Sequence, residues 1–244
     1  MAKYLKSFVR NNLLAKHGNL VSLDDHYETI DRLLVNHEVK TIIDAGASDG
    51  RITRKILPYF PKANVYLFEP QGMYREKLLA FAEKETRAHP QFMALGNESG
   101  EIALQVTSSP GCTSVFKPSE SMQDLYPDAS KIKDVETVPV VTIDEWVTQQ
   151  GLGGIDVMKF DIQGGELNAL QGASNTLTNS TLLIYTEVLF NPLYEGGAVF
   201  GDIDACLREH GFQLYNLYKP KVDDDGMLLW ANAIFIHKDR VKLK

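Results

Sequence analysis

Thr41-Ile42-Ile43-Asp44-Ala45-Gly46-Ala47-Ser48-Asp49-Gly50 is the stretch from which the fold of this chain is read. Its β-branched opening is a short buried strand, and the glycines that follow let the backbone turn tightly and approach a ligand closely. A helical pattern then runs through Ile52, Ile56 and Leu57, with Pro58 limiting its length. Strand, glycine loop and helix N-terminus make a nucleotide-sized cradle. Downstream, Val65-Tyr66-Leu67-Phe68-Glu69-Pro70 reads as a second strand with a carboxylate at its C-terminal end. Its distance from Asp44 is close to the roughly 20 residues that a ribose-binding acid keeps in a βαβ nucleotide unit.

The dinucleotide fingerprint G-x-G-x-x-G requires glycines where this chain carries Asp44 and Asp49. A carboxylate at that turn repels a pyrophosphate and suits a cofactor with positive charge. Asp44-x-Gly46-x-x-x-Gly50 followed by Glu69 resembles the S-adenosylmethionine site of Rossmann-like methyltransferases. In those sites the glycines admit the methionine-adenosine body and the acid holds the ribose hydroxyls. A glycine-containing strand-to-helix turn without a ligand is the competing account, and it leaves the phase of Glu69 unexplained.

With 244 residues, 44% hydrophobic and 23% charged, the chain has the composition of a globular protein with a sizeable core. A net charge of −7 and a pI near 5.4 weigh against tight nonspecific binding to nucleic acid, and no such partner is expected. Cys112 and Cys206 form neither a metal spacing nor a disulfide framework, which fits a reducing compartment. None of the six histidines stands at metal-ligand spacing from another. No signal-like apolar run opens the chain and no segment reaches transmembrane length, so a cytoplasmic protein is the expectation.

Residues 3–16 pattern as a basic amphipathic helix, with Leu5, Phe8, Val9 and Leu13 on one side and Lys3, Lys6, Arg10 and Lys16 around it. A second helix from about Ser22, its cap, presents Tyr27, Ile30, Leu33 and Leu34. These helices, within residues 1–38, are expected to cover the cofactor site of a single unit spanning 39–244. A helix at 74–87, a third strand over 91–95 and an alternating extra strand at 101–106 follow. Residues 108–134 are rich in Ser, Pro and Gly and long for a loop, which marks a substrate-facing cover. After a strand at 135–141 and a helix opened by Thr142, Ile155-Asp156-Val157-Met158-Lys159-Phe160-Asp161 is a core strand ending in a carboxylate. A helix begins at Gly164-Gly165-Glu166, and 181–186 is another strand, ending at Glu187. A helix over 202–210 is closed by Gly211, and strands at 212–218 and 228–237 flank the hairpin tip Asp223-Asp224-Asp225-Gly226. Asp44, Glu69, Asp161 and Glu187 thus fall at strand C-terminal ends, where open α/β sheets bind ligands.

Val140-Val141-Thr142-Ile143-Asp144, the run from Ile155 through Gly164-Gly165-Glu166, the glycine loop and Gly211-Phe212-Gln213-Leu214-Tyr215 together resemble the FkbM family of S-adenosylmethionine-dependent methyltransferases. The likeness covers residues 40–220. The family's run after the lysine is Asp-Val-Glu-Gly-x-Glu, and Gln163 stands here in place of its middle acid. The resemblance implies an α/β, class I (Rossmann-like) methyltransferase fold: a mixed sheet of about seven strands with a C-terminal antiparallel hairpin and N-terminal cap helices. It implies O-methyl transfer to a hydroxyl of a small metabolite, a sugar or natural-product moiety. Cofactor contacts are expected from Asp44, Ala45, Gly46, Ala47, Ser48, Gly50, Glu69, Pro70, Leu95 and Asp161. Lys159, Asp161 and Glu187 are the catalytic candidates. Either a carboxylate takes the acceptor's proton while Lys159 steadies the alkoxide, or Asp161 and Glu187 hold one Mg²⁺. The structural alternative for Asp161 is a cap on the helix beginning near Gly164. Two other functions compete: a noncatalytic S-adenosylmethionine-binding or scaffold protein, and a nicotinamide-dependent oxidoreductase, against which Asp44 and Asp49 count.

Overall fold

Asp25 opens α1 (His26–Leu33), its carboxylate accepting hydrogen bonds from Tyr27 N at 2.8 Å and Glu28 N at 3.2 Å. The computed structural model describes residues 25–243, so the basic helix predicted at 3–16 and the predicted cap Ser22 lie outside the described residues. Tyr27, Ile30 and Leu34 pack onto Ile42, Val65, Tyr185 and Ile234 of the central sheet. This helix was expected to cover the cofactor site. Its apolar face is instead spent on one face of the sheet, and it lines no part of the cavity described below.

Three strands alternate with two helices: β1 (Thr41–Ala45), α2 (Arg51–Ile56), β2 (Asn64–Phe68), α3 (Arg75–Ala82) and β3 (Ala88–Gln91). The chain continues through β4 (Ala94–Leu95), β5 (Gly100–Thr107), α4 (Glu120–Leu125), β6 (Ile132–Val141) and α5 (Ile143–Gln149). It then forms β7 (Val157–Phe160), α6 (Glu166–Gln171), α7 (Ser174–Asn179), β8 (Leu183–Leu189), α8 (Phe200–Glu209), β9 (Phe212–Val222) and β10 (Leu228–His237). The main sheet has seven strands in the order β3-β2-β1-β7-β8-β10-β9. All neighbours are parallel except β10, which runs antiparallel to both β8 and β9. The hairpin tip is closed by Asp223, whose Oδ1 accepts from Asp225 N at 3.0 Å and Met227 N at 2.7 Å.

Successive residues on a strand face opposite sides. Ile43, Ala45, Met158, Phe160 and Ile184 therefore enter one core, with Trp146 and Leu207, while Ile42, Val157, Leu183 and Tyr185 enter the other. Helices cover both faces, which is why these strands read as continuous apolar runs. The strand order reverses between β1 and β7, and a crevice opens there beyond the C-terminal ends.

Three local expectations change. The strand expected over 91–95 divides: β3 ends at Gln91, while Ala94 and Leu95 pair with Val140 and Val141 in a separate three-stranded sheet ordered β4-β6-β5. The stretch 108–134 is a structured cover and not a bare loop. Ser119 Oγ accepts from Met122 N at 3.2 Å to cap α4, whose Met122 enters a satellite core with Leu189, Leu193 and Tyr194. Likewise β8 runs past Glu187 to Leu189, because antiparallel pairing with β10 continues to Trp230. Among the described residues no helix is long and apolar enough to cross a membrane.

Candidate active site

The chain leaves β1 through Gly46, whose φ of 70° is left-handed. A Cβ there would lie 1.9 Å from the Asp161 carbonyl oxygen, so the protein's own backbone requires the glycine before any ligand enters. Lys159 of β7 lies beneath this turn. Its Nζ donates to Ala45 O at 2.9 Å and Gly46 O at 3.1 Å, and stands 3.0 Å from Asp44 Oδ1. The other Asp44 oxygen accepts from Thr53 Oγ1 at 2.6 Å. Burial pulls the Lys159 ammonium down, but the charges of Asp44 and Asp161 outweigh it and hold the pKa above its usual value. Asp44 and Lys159 are thus a buried strut under the loop, in which loss of either partner strands the other's charge.

Glu69, just past the end of β2, has both carboxylate oxygens fixed by main chain. Oε2 accepts from Ser48 N at 2.8 Å and Oε1 from Gln71 N at 2.9 Å. The first bond ties the glycine loop to β2, and each oxygen keeps further acceptor capacity. Burial lifts Glu69 above the usual carboxylate range, opposed by those two N–H groups. Beside it, Gln71 Nε2 reaches Pro110 O at 3.4 Å, while Gln71 Oε1 is buried with no partner among the described residues. Ala45, Gly46, Ser48, Glu69, Pro70, Gln71 and Leu95 form the β1–β2 side of a cavity of about 250 Å³.

The β7–β8 side is built differently. Asp161, Ile162, Gln163 and Glu187 line it, and Pro110, Gly111, Thr113, Ser114 and Val115 close over it. Gln163, held at a left-handed φ of 57°, donates from Nε2 to Asp161 Oδ1 at 2.9 Å and to Glu187 Oε2 at 3.1 Å. Its Oε1 accepts from Tyr194 OH at 2.6 Å, and its main-chain oxygen accepts from Ser114 Oγ at 2.7 Å. The Asp161 side chain remains 42% exposed. Burial lifts Glu187 well above the usual carboxylate range, and the charges of Asp161 and Glu166 push the same way.

The turn between β7 and α6 is held by Glu166, whose Oε1 accepts from Ile162 N at 2.8 Å and Oε2 from Gly164 N at 2.9 Å. Burial raises this carboxyl to about 7. Gly165 occupies the cap position of α6 and no side chain caps it, so the capping alternative for Asp161 does not hold. A family model, the methyltransferase FkbM domain, matches residues 44–214. The chain belongs to the FkbM methyltransferase family. S-adenosylmethionine is the methyl donor of these enzymes. The 2-O-methyltransferase NoeI of Sinorhizobium fredii (strain NBRC 101917 / NGR234) is 29% identical over 192 residues, 77% of this chain and 78% of NoeI. Methyltransferase sdnD of Sordaria araneosa is 24% identical over 196 residues, 71% of this chain and 73% of sdnD. The crystal structure of methyltransferase FkbM from Methylobacillus flagellatus KT matches with a TM-score of 0.53 at 15% identity, over 82% of this chain. The chain spans 44% of that protein's length, and the likeness is one of fold.

Within this FkbM chain the predicted residues divide. Ala45, Gly46, Ser48, Glu69, Pro70, Leu95, Asp161 and Glu187 line the cavity, whereas Asp44, Ala47, Gly50 and Lys159 do not. Lys159 was expected to steady an alkoxide if it reached the rim; three oxygens hold its amine under the loop instead. The Asp161 and Glu187 pair does not fit a Mg²⁺ ion, because an amide N–H donor stands where the cation would need an acceptor. Among the described residues no group of three or more His, Cys, Asp or Glu is placed to hold a metal. Two other acids of the family-like run are structural. Asp144 accepts from Asn175 N and Thr176 N, both at 2.8 Å, and Asp156 from Lys40 N at 2.7 Å and Thr41 N at 2.9 Å. Gln71, Ser114 and Tyr194 escaped sequence reading because they sit on connections without periodicity. The departure at Gln163 was visible, but its partners were not.

Proposed function

We propose that this enzyme transfers the methyl group of S-adenosylmethionine to a hydroxyl oxygen of a neutral, hydroxyl-rich small molecule such as a sugar. The observation that carries the reading is the two-sided cavity, with main-chain-fixed Glu69 in one wall and the Asp161 and Glu187 carboxylates in the other. The β1–β2 side fits the cofactor. Glu69 has lone pairs left for two ribose hydroxyls, and the unpartnered Gln71 Oε1 suits an N–H or O–H of the nucleoside. When bound, S-adenosylmethionine supplies an electrophilic methyl carbon whose bond to sulfur breaks as the bond to the acceptor oxygen forms.

The chain's own residues supply alignment and a proton acceptor. Asp161, the more open carboxylate, accepts a hydrogen bond from a second hydroxyl of the acceptor and so orients the lone pair of the reacting oxygen. Glu187, its carboxyl raised above the usual range by burial and by the charge of Asp161, takes the proton of the reacting hydroxyl as the oxygen loses it. Pro110 to Val115 close the cavity above and limit water. Two carboxylates in one wall disfavour an anionic acceptor. The similarity to NoeI, a 2-O-methyltransferase, supports an oxygen acceptor.

The test pairs calorimetry with label transfer. S-adenosylhomocysteine is expected to bind and NAD to give no heat, and labelled methyl is expected to pass to a member of a methyl glycoside panel. Chelation with EDTA should leave the rate within about twofold, since no step here uses a metal. Binding of S-adenosylhomocysteine with no transfer to any glycoside would move the acceptor outside this class. NAD binding would restore the oxidoreductase reading.

A further inference from the structure

We propose that Gln163 is a positioning residue that latches two covering segments, 108–119 and 191–198, onto the Asp161 and Glu187 pair. Its catalytic consequence rests on the methyl-transfer reading, whereas the latch itself does not. The two segments form one unit. Ser119 N donates to Leu193 O at 2.9 Å, Ser119 Oγ to Pro192 O at 2.8 Å, and Glu195 N to Lys117 O at 2.8 Å. Each segment also reaches Gln163 directly, Ser114 through its hydroxyl to the main chain and Tyr194 through its phenol to the amide oxygen.

The chemistry of the three side chains around it selects an amide at this position. Asp161 and Glu187 offer acceptor oxygens, so the NH₂ end of Gln163 faces them; the Tyr194 phenol donates, so the carbonyl end faces it. Burial raises the Tyr194 phenol and keeps it an O–H donor. The phenol oxygen is also 3.4 Å from Cys112 O, but its single proton is better placed for Gln163 at 2.6 Å. The left-handed backbone of Gln163, unusual for a residue with a side chain, persists where these bonds over-determine it. A glutamate at 163 would keep the phenol bond, lose both N–H donors and set a third carboxylate against the first two. The latch therefore ties closure of the cover to the placement of the carboxylates.

Amide hydrogen exchange tests this without an acceptor. Gln163→Met and Tyr194→Phe are expected to speed exchange roughly tenfold or more in 112–119 and 192–198, with β1 and β7 unchanged. Gln163→Glu should loosen the same segments at pH 8 and recover at pH 5.5, where the introduced carboxyl, once protonated, can donate. S-adenosylhomocysteine affinity should stay within about threefold in all three variants. With a transferable methyl glycoside, kcat should fall at least tenfold with cofactor affinity held, and the loss for Gln163→Glu should shrink as pH falls. Unchanged exchange in both segments, or loosening spread equally through β1 and β7, would overturn the latch. If S-adenosylhomocysteine fails to bind the unmodified protein, the cofactor reading fails while the exchange comparison still decides the latch.

Discussion

The two sides of the cavity are built by different means. On the β1–β2 side the main chain holds the machinery: Glu69 is fixed by two backbone N–H groups, and the glycine loop sits on Phe68 O through Gly46 N at 2.9 Å and Ala47 N at 3.1 Å. On the β7–β8 side, side chains hold side chains, with Asp161, Gln163, Glu187 and Tyr194 joined in one network. Backbone-held groups tolerate little variation in position and suit a ligand shared by a whole family. A side-chain network can be rewired by single substitutions, which suits the part of a site that meets a variable acceptor. On the function proposed above, the same contrast separates affinity for the cofactor from turnover of the acceptor.

The largest expected effect probes that separation. Asp161→Asn and Glu187→Gln should each lower kcat roughly 10²- to 10⁴-fold, the range for loss of acid–base assistance, with S-adenosylhomocysteine affinity within about threefold. Comparable losses of kcat and cofactor affinity would erase the distinction between the two sides. Glu69→Ala is the complement. It should cost about 1.5–3 kcal/mol of cofactor binding, roughly 10- to 150-fold in Kd by calorimetry. A 2′-deoxy cofactor should then lose little further affinity in the variant, because its missing hydroxyl no longer has a partner.

A third comparison separates glycines that serve the fold from glycines that serve the cover. Gly46→Ala drives a Cβ into the Asp161 carbonyl and should cost about 1–3 kcal/mol in denaturant unfolding. Gly111→Ala, in the cover, meets nothing within 4 Å and should leave the unfolding midpoint unchanged. The smallest effect concerns pH. Glu166 is raised by burial from 4.5 to about 7, so the folded state holds a proton there that the unfolded state has released. Its stability contribution is complete below pH 4.5 and is lost as pH rises through 7. Glu166→Gln should flatten that part of the stability profile, while Asp161→Asn, which removes only a charge that adds to the larger effect of burial on Glu166, should leave most of it in place.

What the sequence determined by itself was whatever depends on neighbours along the chain. The β-branched run at Ile42 and Ile43, the glycines that must adopt positive φ and the acid at Glu69 specify a strand, a turn and a carboxylate just past a strand end locally. Asp-Gly at the hairpin tip and Gly211 after α8 act over a few residues and were legible for the same reason. The acids at 44, 161, 166 and 187 were equally visible, but their roles were not. Asp44 turned inward to Lys159, Glu166 took the turn, and Asp161 and Glu187 faced the cavity. That assignment belongs to the tertiary structure alone. A carboxylate's role is set by which donors surround it and how much water it keeps, and here those donors arrive from positions such as Thr53, Lys159 and Gln163 that only folding brings together.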